Sequence, residues 1–232
     1  MLHAHRVETV REAEQATGHL LTSGVLMQRA AAALASICLH RLRDGGGVYG
    51  APVVLLVGSG DNGGDALFAG ARLARRGAAV VAVPSGERLH EAGAVALRDA
   101  GGRVLDADAG DDRLLEELGR ARLVVDGLVG IGARGPLRDA AARLAGLHAQ
   151  AGAAARTVAV DVPSGVDAAT GAVEGAVVRA ACTVTFGTIK PGLLVLPGAA
   201  PVGELQLVPL GLDLPEPDLS ALEQADVAAR LP

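Results

Sequence analysis

Residues 52–70, PVVLLVGSGDNGGDALFAG, decide the fold: an apolar, β-branched run breaks into a glycine-rich polar loop and then resumes as a pattern of small residues that suits a helix. A run with no polar alternation fits a strand buried on both faces, as in a parallel sheet covered by helices. The same alternation recurs along the chain. Strands are expected at 52–57, 79–84, 103–105, 123–126, 157–161, 182–186 and 204–208, and helices at 64–76, 88–100, 111–119 and 136–151. Ahead of them, residues 6–16 and a longer stretch that starts after Thr22 or Ser23 and runs through LMQRAAAALASICLHRLRD read as helices, the second stopped by Gly45, Gly46 and Gly47. The order predicts an α/β domain over residues 1–212 with an N-terminal helical extension. Residues 213–232, DLPEPDLSALEQADVAARLP, carry prolines and no strand pattern, and read as a linker or terminal arm.

Composition narrows the function. Of the 232 residues 50% are apolar and only 1% aromatic, so a core forms but stacking platforms for nucleic-acid bases are nearly absent. A net charge of -5 gives no field for phosphate polymers or acidic membranes, which leaves a small-molecule partner. No apolar run exceeds strand length and the N-terminal MLHAHRVETVREAEQ has acids where a signal peptide would need an apolar stretch, so a cytoplasmic protein with no membrane span is expected. Cys38 and Cys182 lie in apolar runs and read as core residues. The six histidines are scattered, with His3 and His5 at a terminus expected to fray, and spell no transition-metal site. Ser59, Ser85 and Ser164 lack the G-x-S-x-G frame of a hydrolase.

In a doubly wound sheet the ligand lies beyond the carboxyl ends of the strands, which directs attention to three loops. The first holds Gly58, Gly60 and Gly63 in G-x-G-x-x-G spacing ahead of a helix, a cradle for a pyrophosphate. The next strand ends in Pro84 and Ser85 where a dinucleotide site would place its ribose-binding acid, so a dehydrogenase is disfavoured. Asp61 and Asn62 sit inside the cradle: Asp61 either caps the helix or joins Asn62 as an oxygen ligand for a hard cation that offsets the charge. The second loop sets Asp126 beside Gly127, Gly130, Gly132 and Gly135, with Pro136 opening a helix. The third, DVPSGVD, sets Asp161 at a strand end as a general acid or base, with turn capping as its competing role. Lys190 is the only lysine among 21 basic residues and Asn62 the only asparagine. Where arginine serves every other cationic position, a retained lysine suits a compact or titratable amine, the alternative being an ordinary surface charge.

With those residues in hand, the chain resembles the NAD(P)H-hydrate epimerase family, also called the YjeF N-terminal domain. The likeness covers about residues 7–212: VREAEQATGHLLTSGVLMQRAA at 10–31, GSGDNGGDA at 58–66, VVDGLVGIGARGPL at 124–137, VAVDVPSGVDAATGAV at 158–173, VTFGTIKPGLLVLPGA at 184–199 and VGELQLVPLGL at 202–212. It implies a three-layer α/β/α Rossmann-like sandwich with a mostly parallel sheet, usually a homodimer, that interconverts the R and S forms of hydrated NADH and NADPH. It also implies K+ held by Asn62, Asp126 and Ser164. Substrate would lie along Asp61, Asn62, Gly63, Gly64 and Asp65, along Gly130, Ile131, Gly132, Ala133, Arg134, Gly135 and Pro136, and against Asp161. On this likeness Asp161 is the candidate general acid/base and Lys190 an auxiliary proton or phosphate contact.

Asp61 departs from the family's first Asn of this block, Ala66 from its Gly after GGD, and Gln28 from its Glu; none of the three is an implied K+ ligand. A partner dehydratase that uses ATP or ADP is implied, fused in bifunctional members, and expected to be absent from these 232 residues. Two other readings compete. A noncatalytic dimerisation or partner-binding module has little use for Asn62, Asp126, Asp161, Ser164 and Lys190 together. A nucleotide-dependent oxidoreductase or methyltransferase lacks its ribose acid.

Overall fold

The computed structural model describes residues 1–222 and 226. In chain order the elements are β1 (Leu2–Ala4), α1 (Val7–Ala16), α2 (His19–Thr22), α3 (Val25–Asp44), β2 (Pro52–Val57), α4 (Asp61–Arg75), β3 (Ala79–Pro84), α5 (Glu91–Asp99) and β4 (Arg103–Val104). They continue with α6 (Asp111–Arg120), β5 (Leu123–Gly127), α7 (Asp139–Gln150), β6 (Thr157–Val160), β7 (Cys182–Phe186), β8 (Glu204–Val208) and β9 (Leu219–Ala221). Seven strands form one sheet in the order β4-β3-β2-β5-β6-β7-β8, every pair of neighbours parallel.

Strand pleating divides the core between two layers. Val53, Leu55 and Val57 point to the side covered by α3, α4 and α5, where they meet Leu34, Leu67 and Leu97. Val54 and Leu56, the alternate residues, point to the other side and meet Leu114 and Leu118 of α6 and Leu144 of α7. The apolar run at 53–57 is therefore continuous because both of its faces are buried. The result is the expected three-layer α/β/α Rossmann-like sandwich.

The chain leaves β2 towards β3 and β4 on one side and returns to β5 on the other, so the strand order reverses between β2 and β5. The loops after these strands part at this switch point and open a crevice. They are also in close contact. A Cβ on Gly58 would penetrate the Leu128 carbonyl, and one on Gly63 would penetrate the carbonyl of Gly58, so glycine is needed at both for close approach.

Several expectations change; among them, the helix expected at 88–100 spans only Glu91–Asp99 and the strand expected at 103–105 only Arg103–Val104. Helix α4 begins at Asp61, three residues before the expected start, which makes Asp61 its first residue and not a side-chain cap. Strand β6 ends at Val160 because Asp161 takes φ +65°, which turns the chain away after its amide has made a last bond to Val184 O of β7. Pro136 precedes helix α7 by three residues and does not open it. The tail, read as lacking a strand, contributes β9, which pairs antiparallel with β1 as Leu2↔Ala221, His3↔Ser220 and Ala4↔Leu219. Residues 223–225 and 227–232 of that tail lie outside the described residues.

The terminal ribbon also holds His5 in place. It is buried, with Nδ1 2.8 Å from Thr188 Oγ1 and Nε2 3.0 Å from Pro215 O, which accounts for a terminus that was expected to fray. Cys38 and Cys182 are free and buried in the same core cluster, and burial pushes the Cys38 thiol up to about 12. Among the described residues, no helix is long and apolar enough to cross a membrane.

Candidate active site

A cleft of about 1070 Å³ lies over the β2–β5 switch point, with room for a dinucleotide-sized ligand. The N-terminus of α4 forms one side of it, so the amides of the first helical turn face the cavity and favour negative charge there. Its lining includes Asp61, Asn62, Gly63, Asp65, Gly130, Ile131, Gly132, Ala133, Asp161 and Lys190. Gly64 is packed beneath this lining, against His90 and Met27. Arg134, Gly135 and Pro136 are exposed and not part of the cleft wall, and Arg134 is 3.3 Å from Glu8.

Asp161 and Lys190 form the floor. The Lys190 ammonium, 1% exposed, is salt-bridged to Asp161 Oδ1, and it also donates to Phe186 O at 2.8 Å and Thr185 Oγ1 at 3.1 Å. All three of its donors are thereby used. Asp161 Oδ1 accepts two further bonds of 3.1 Å, from the Thr185 hydroxyl and the Phe186 amide. The left-handed backbone of Asp161 turns its carboxylate back onto β7, and its own amide donates to Val184 O at 2.7 Å. The loop that carries Lys190 is braced from outside: Ala4 bridges to Ile189 and the His5 amide donates to Ile189 O at 3.0 Å. Lys190 is therefore not an ordinary surface charge. It fixes and neutralises Asp161, and no N–H is left over to reach outward.

The second cluster is Asn62, Asp126 and Ser164, from α4, β5 and the loop after β6. Asp126 is fully buried; Ser164 donates to it through its hydroxyl at 2.7 Å and its amide at 2.8 Å, and the Leu128 amide lies 3.3 Å away. Burial pushes the Asp126 carboxyl up to about 6, against these hydrogen bonds, which lower it. Asn62 donates to Val129 O at 3.1 Å and Val160 O at 2.6 Å, and the Val129 amide donates to Ser164 Oγ at 3.1 Å, which joins the three residues into one network. Gly130 closes on it, since a Cβ there would lie 2.5 Å from Asn62 Oδ1.

The donor set tests whether a monovalent cation fits. A buried carboxyl has no cationic partner among the described residues and stands with a hydroxyl and an amide, an all-oxygen set with a single negative charge. Such a set suits a hard cation of low charge. Among the described residues, no group of three His, Cys, Asp or Glu side chains is placed to hold a transition metal.

Sequence reasoning missed Glu14. It lies in the cleft wall, and its carboxyl is raised by burial first and then by the charges of Asp161 and Asp61, with Lys190 and Arg11 opposing. A signal was present, because Glu14 falls four residues after Val10 and seven after Val7 on the buried stripe of α1. Met27, Phe68 and His90 form an apolar wall that no motif announced, with the Phe68 and His90 rings edge-to-face at 5.4 Å.

The profile of the family described as YjeF-related protein N-terminus matches residues 23–192. The chain belongs to this family. It is 46% identical, over all of its length, to the bifunctional NAD(P)H-hydrate repair enzyme Nnr of Mycobacterium leprae, and spans 46% of that protein. It is 45% identical to the NAD(P)H-hydrate epimerase of Clavibacter michiganensis, over 84% of this chain and 86% of that one. The chain therefore spans about half the length of its mycobacterial relatives. The crystal structure of the yeast protein ynu0 (YNL200c) shares the fold, with TM-score 0.75 over 97% of this chain and 98% of that one at 21% identity.

Proposed function

We propose that this domain is an isomerase that interconverts the R and S forms of hydrated NADH and NADPH, the activity named for its Clavibacter relative. The observation that carries the reading is the buried Lys190–Asp161 pair, set in the floor of a dinucleotide-sized cleft at the switch point of the sheet. Inversion at a carbon that bears both a hydroxyl and the ring nitrogen requires proton transfers close to one centre, by ring opening or by loss and return of water. Asp161 would carry them, with Lys190 holding it in position. The amides at the start of α4 would take the pyrophosphate, and the collar Gly130–Ala133 would cover the nicotinamide end.

K+ belongs to this reading, with Asn62, Asp126 and Ser164 as the residues that would hold it. It would supply fixed positive charge beside an acidic cleft. A homodimer in a cytoplasmic setting is likewise proposed, working with a dehydratase that uses ATP or ADP and accepts the S form. The fusion of repair activities in the bifunctional mycobacterial relatives supports that partnership. A noncatalytic module would not account for a buried ion pair and, among the described residues, a buried carboxyl oxygen without a partner in one cleft.

The test supplies the R form of hydrated NADH with an S-specific dehydratase and ATP in potassium buffer, and follows reduced cofactor by absorbance. Adding this protein should accelerate its return well above the spontaneous rate. No acceleration by folded protein removes the reading.

A further inference from the structure

Asp65 is the acid in this cleft that packing does not explain. It lies in α4, 7% exposed, and its Oδ1 is buried with no hydrogen-bond partner. Asp161 and Asp126, by contrast, are each bonded several times over. A buried polar atom left unsatisfied forfeits solvation, of order 1–3 kcal/mol, and so needs a reason. Among the described residues the fold provides none, and Asp65 lines the cleft.

Two carboxyls thus meet the same cavity in opposite company. Asp161 is salt-bridged to an ammonium, which suits a proton acceptor. Among the described residues no cation pairs with Asp65; burial, then the charges of Asp161, Asp61 and Glu14, hold its carboxyl well above the usual carboxylate range. A pair of acids whose surroundings differ in this way is how one site supplies both a proton donor and a proton acceptor.

The charge of the cleft also separates the two chemical routes. Loss of water leaves a cationic ring, which the carboxylates of Asp61 and of Asp65, the latter ionised by its own proton transfer, stabilise as it forms. Ring opening gives a neutral aldehyde and gains nothing from them.

Building on the epimerase reading, we propose that Asp65 is the proton donor of the reaction and that inversion runs through loss and return of water. Asp65 gives its proton to the hydroxyl, the C–O bond breaks, the lone pair of the ring nitrogen forms a C=N bond, and water departs. A second water adds to the other face, its oxygen lone pair making the new C–O bond while the C=N electrons return to nitrogen and Asp161 takes the released proton. The turnover moves one proton from Asp65 to Asp161, and exchange with bulk water through the open cleft resets both.

The experiment runs the full chain, with K+, on the R form in water labelled with heavy oxygen, and analyses the S product by mass spectrometry. The expected product carries one solvent oxygen per inversion. Asp65→Asn, folded by circular dichroism, should lose about 10² to 10⁴ in kcat with little change in KM, and Asp65→Glu should recover part of it. Retention of the original oxygen by the wild type overturns the proposal, as does an Asp65→Asn variant that turns over at the wild-type rate. The labelling result stands on the wild type alone should Asp65→Asn fail to fold. Absence of any wild-type inversion above background sinks the epimerase reading instead, a different result from inversion with retained oxygen.

Discussion

Lys190 reaches back from four residues beyond β7 to salt-bridge Asp161, one residue beyond β6, so two neighbouring parallel strands end in a single buried ion pair. Each partner is 6% exposed or less, and removing one leaves the other charge buried alone. Lys190→Met or Asp161→Ala should therefore destabilise the fold by roughly 3–5 kcal/mol, whereas a Lys190→Met/Asp161→Leu double variant should cost less than the singles together. Urea unfolding of the four proteins measures this. Each single change should also abolish epimerisation; full activity in Asp161→Ala would remove Asp161 from the reaction.

Potassium should stabilise the folded protein more than choline at equal ionic strength, by about 1.4 kcal/mol when its concentration is ten times the dissociation constant. The response runs through Asp126, the carboxylate joined to Ser164 in the network with Asn62. Asp126→Asn should flatten it. Equal melting temperatures in potassium and choline for the wild type would count against the cation.

Gly130→Ala places a methyl 2.5 Å from Asn62 Oδ1 and 2.7 Å from its Cγ, so the Asn62 amide must move. Epimerisation should fall by roughly tenfold or more, equivalent to at least about 1.4 kcal/mol, while the protein stays folded. Gly146→Ala is the control. That glycine is exposed in α7 with nothing within 4 Å of its Cβ, and the change should stabilise by roughly 0.5–1 kcal/mol without touching activity. Thermal melts and rate assays of the two variants separate these outcomes.

Sequence patterns located most of this architecture because the signals were local. Strands 182–186 and 204–208 were expected with the bounds the structure gives, since each is followed at once by a strand breaker, Gly187 or Pro209. Lys190 stood out by composition, although its burial did not, because burial depends on Ile189 being braced by Ala4 of β1 and Thr188 by His5. That bracing and the β1–β9 ribbon join the two ends of the chain, and no periodicity within ten residues encodes such a pairing. The departure of Asp161 from β6 depends on bonds to Thr185 and Phe186 of the neighbouring strand, so a run of TVAVD could only read as continuous. Glu14 went unseen because a glutamate on a helix is ordinarily solvated, and its burial arises only when α1 packs beside the cleft.

His148 provides a pH test of the fold that is independent of the reaction. It is 1% exposed, and its Nε2 lies 2.7 Å from Thr157 Oγ1, at the first residue of the strand that leads to Asp161. The Thr157 hydroxyl gives its only proton to Ala153 O at 2.8 Å, so it must accept from His148, and Nε2 carries the imidazole hydrogen. Nδ1 is buried with no partner, and a proton added there would find no acceptor. Burial, then the nearby Arg156 charge, lowers His148 to about 4, against an ordinary value of 6.5. As pH falls, the unfolded chain therefore takes this proton before the folded one does. The stability that neutral His148 contributes is complete above about pH 6.5 and is lost progressively down to about pH 4, about 3 kcal/mol in all. Carboxyls whose values are raised in the fold, Glu14, Asp65 and Asp126, act in the opposite direction over the acidic range, so the wild-type slope alone is a mixture. The difference between wild type and His148→Gln isolates the histidine: unfolding free energies should converge as pH falls from about 7 to about 4. Parallel curves for the two proteins would show that His148 takes up protons equally in the folded and unfolded states.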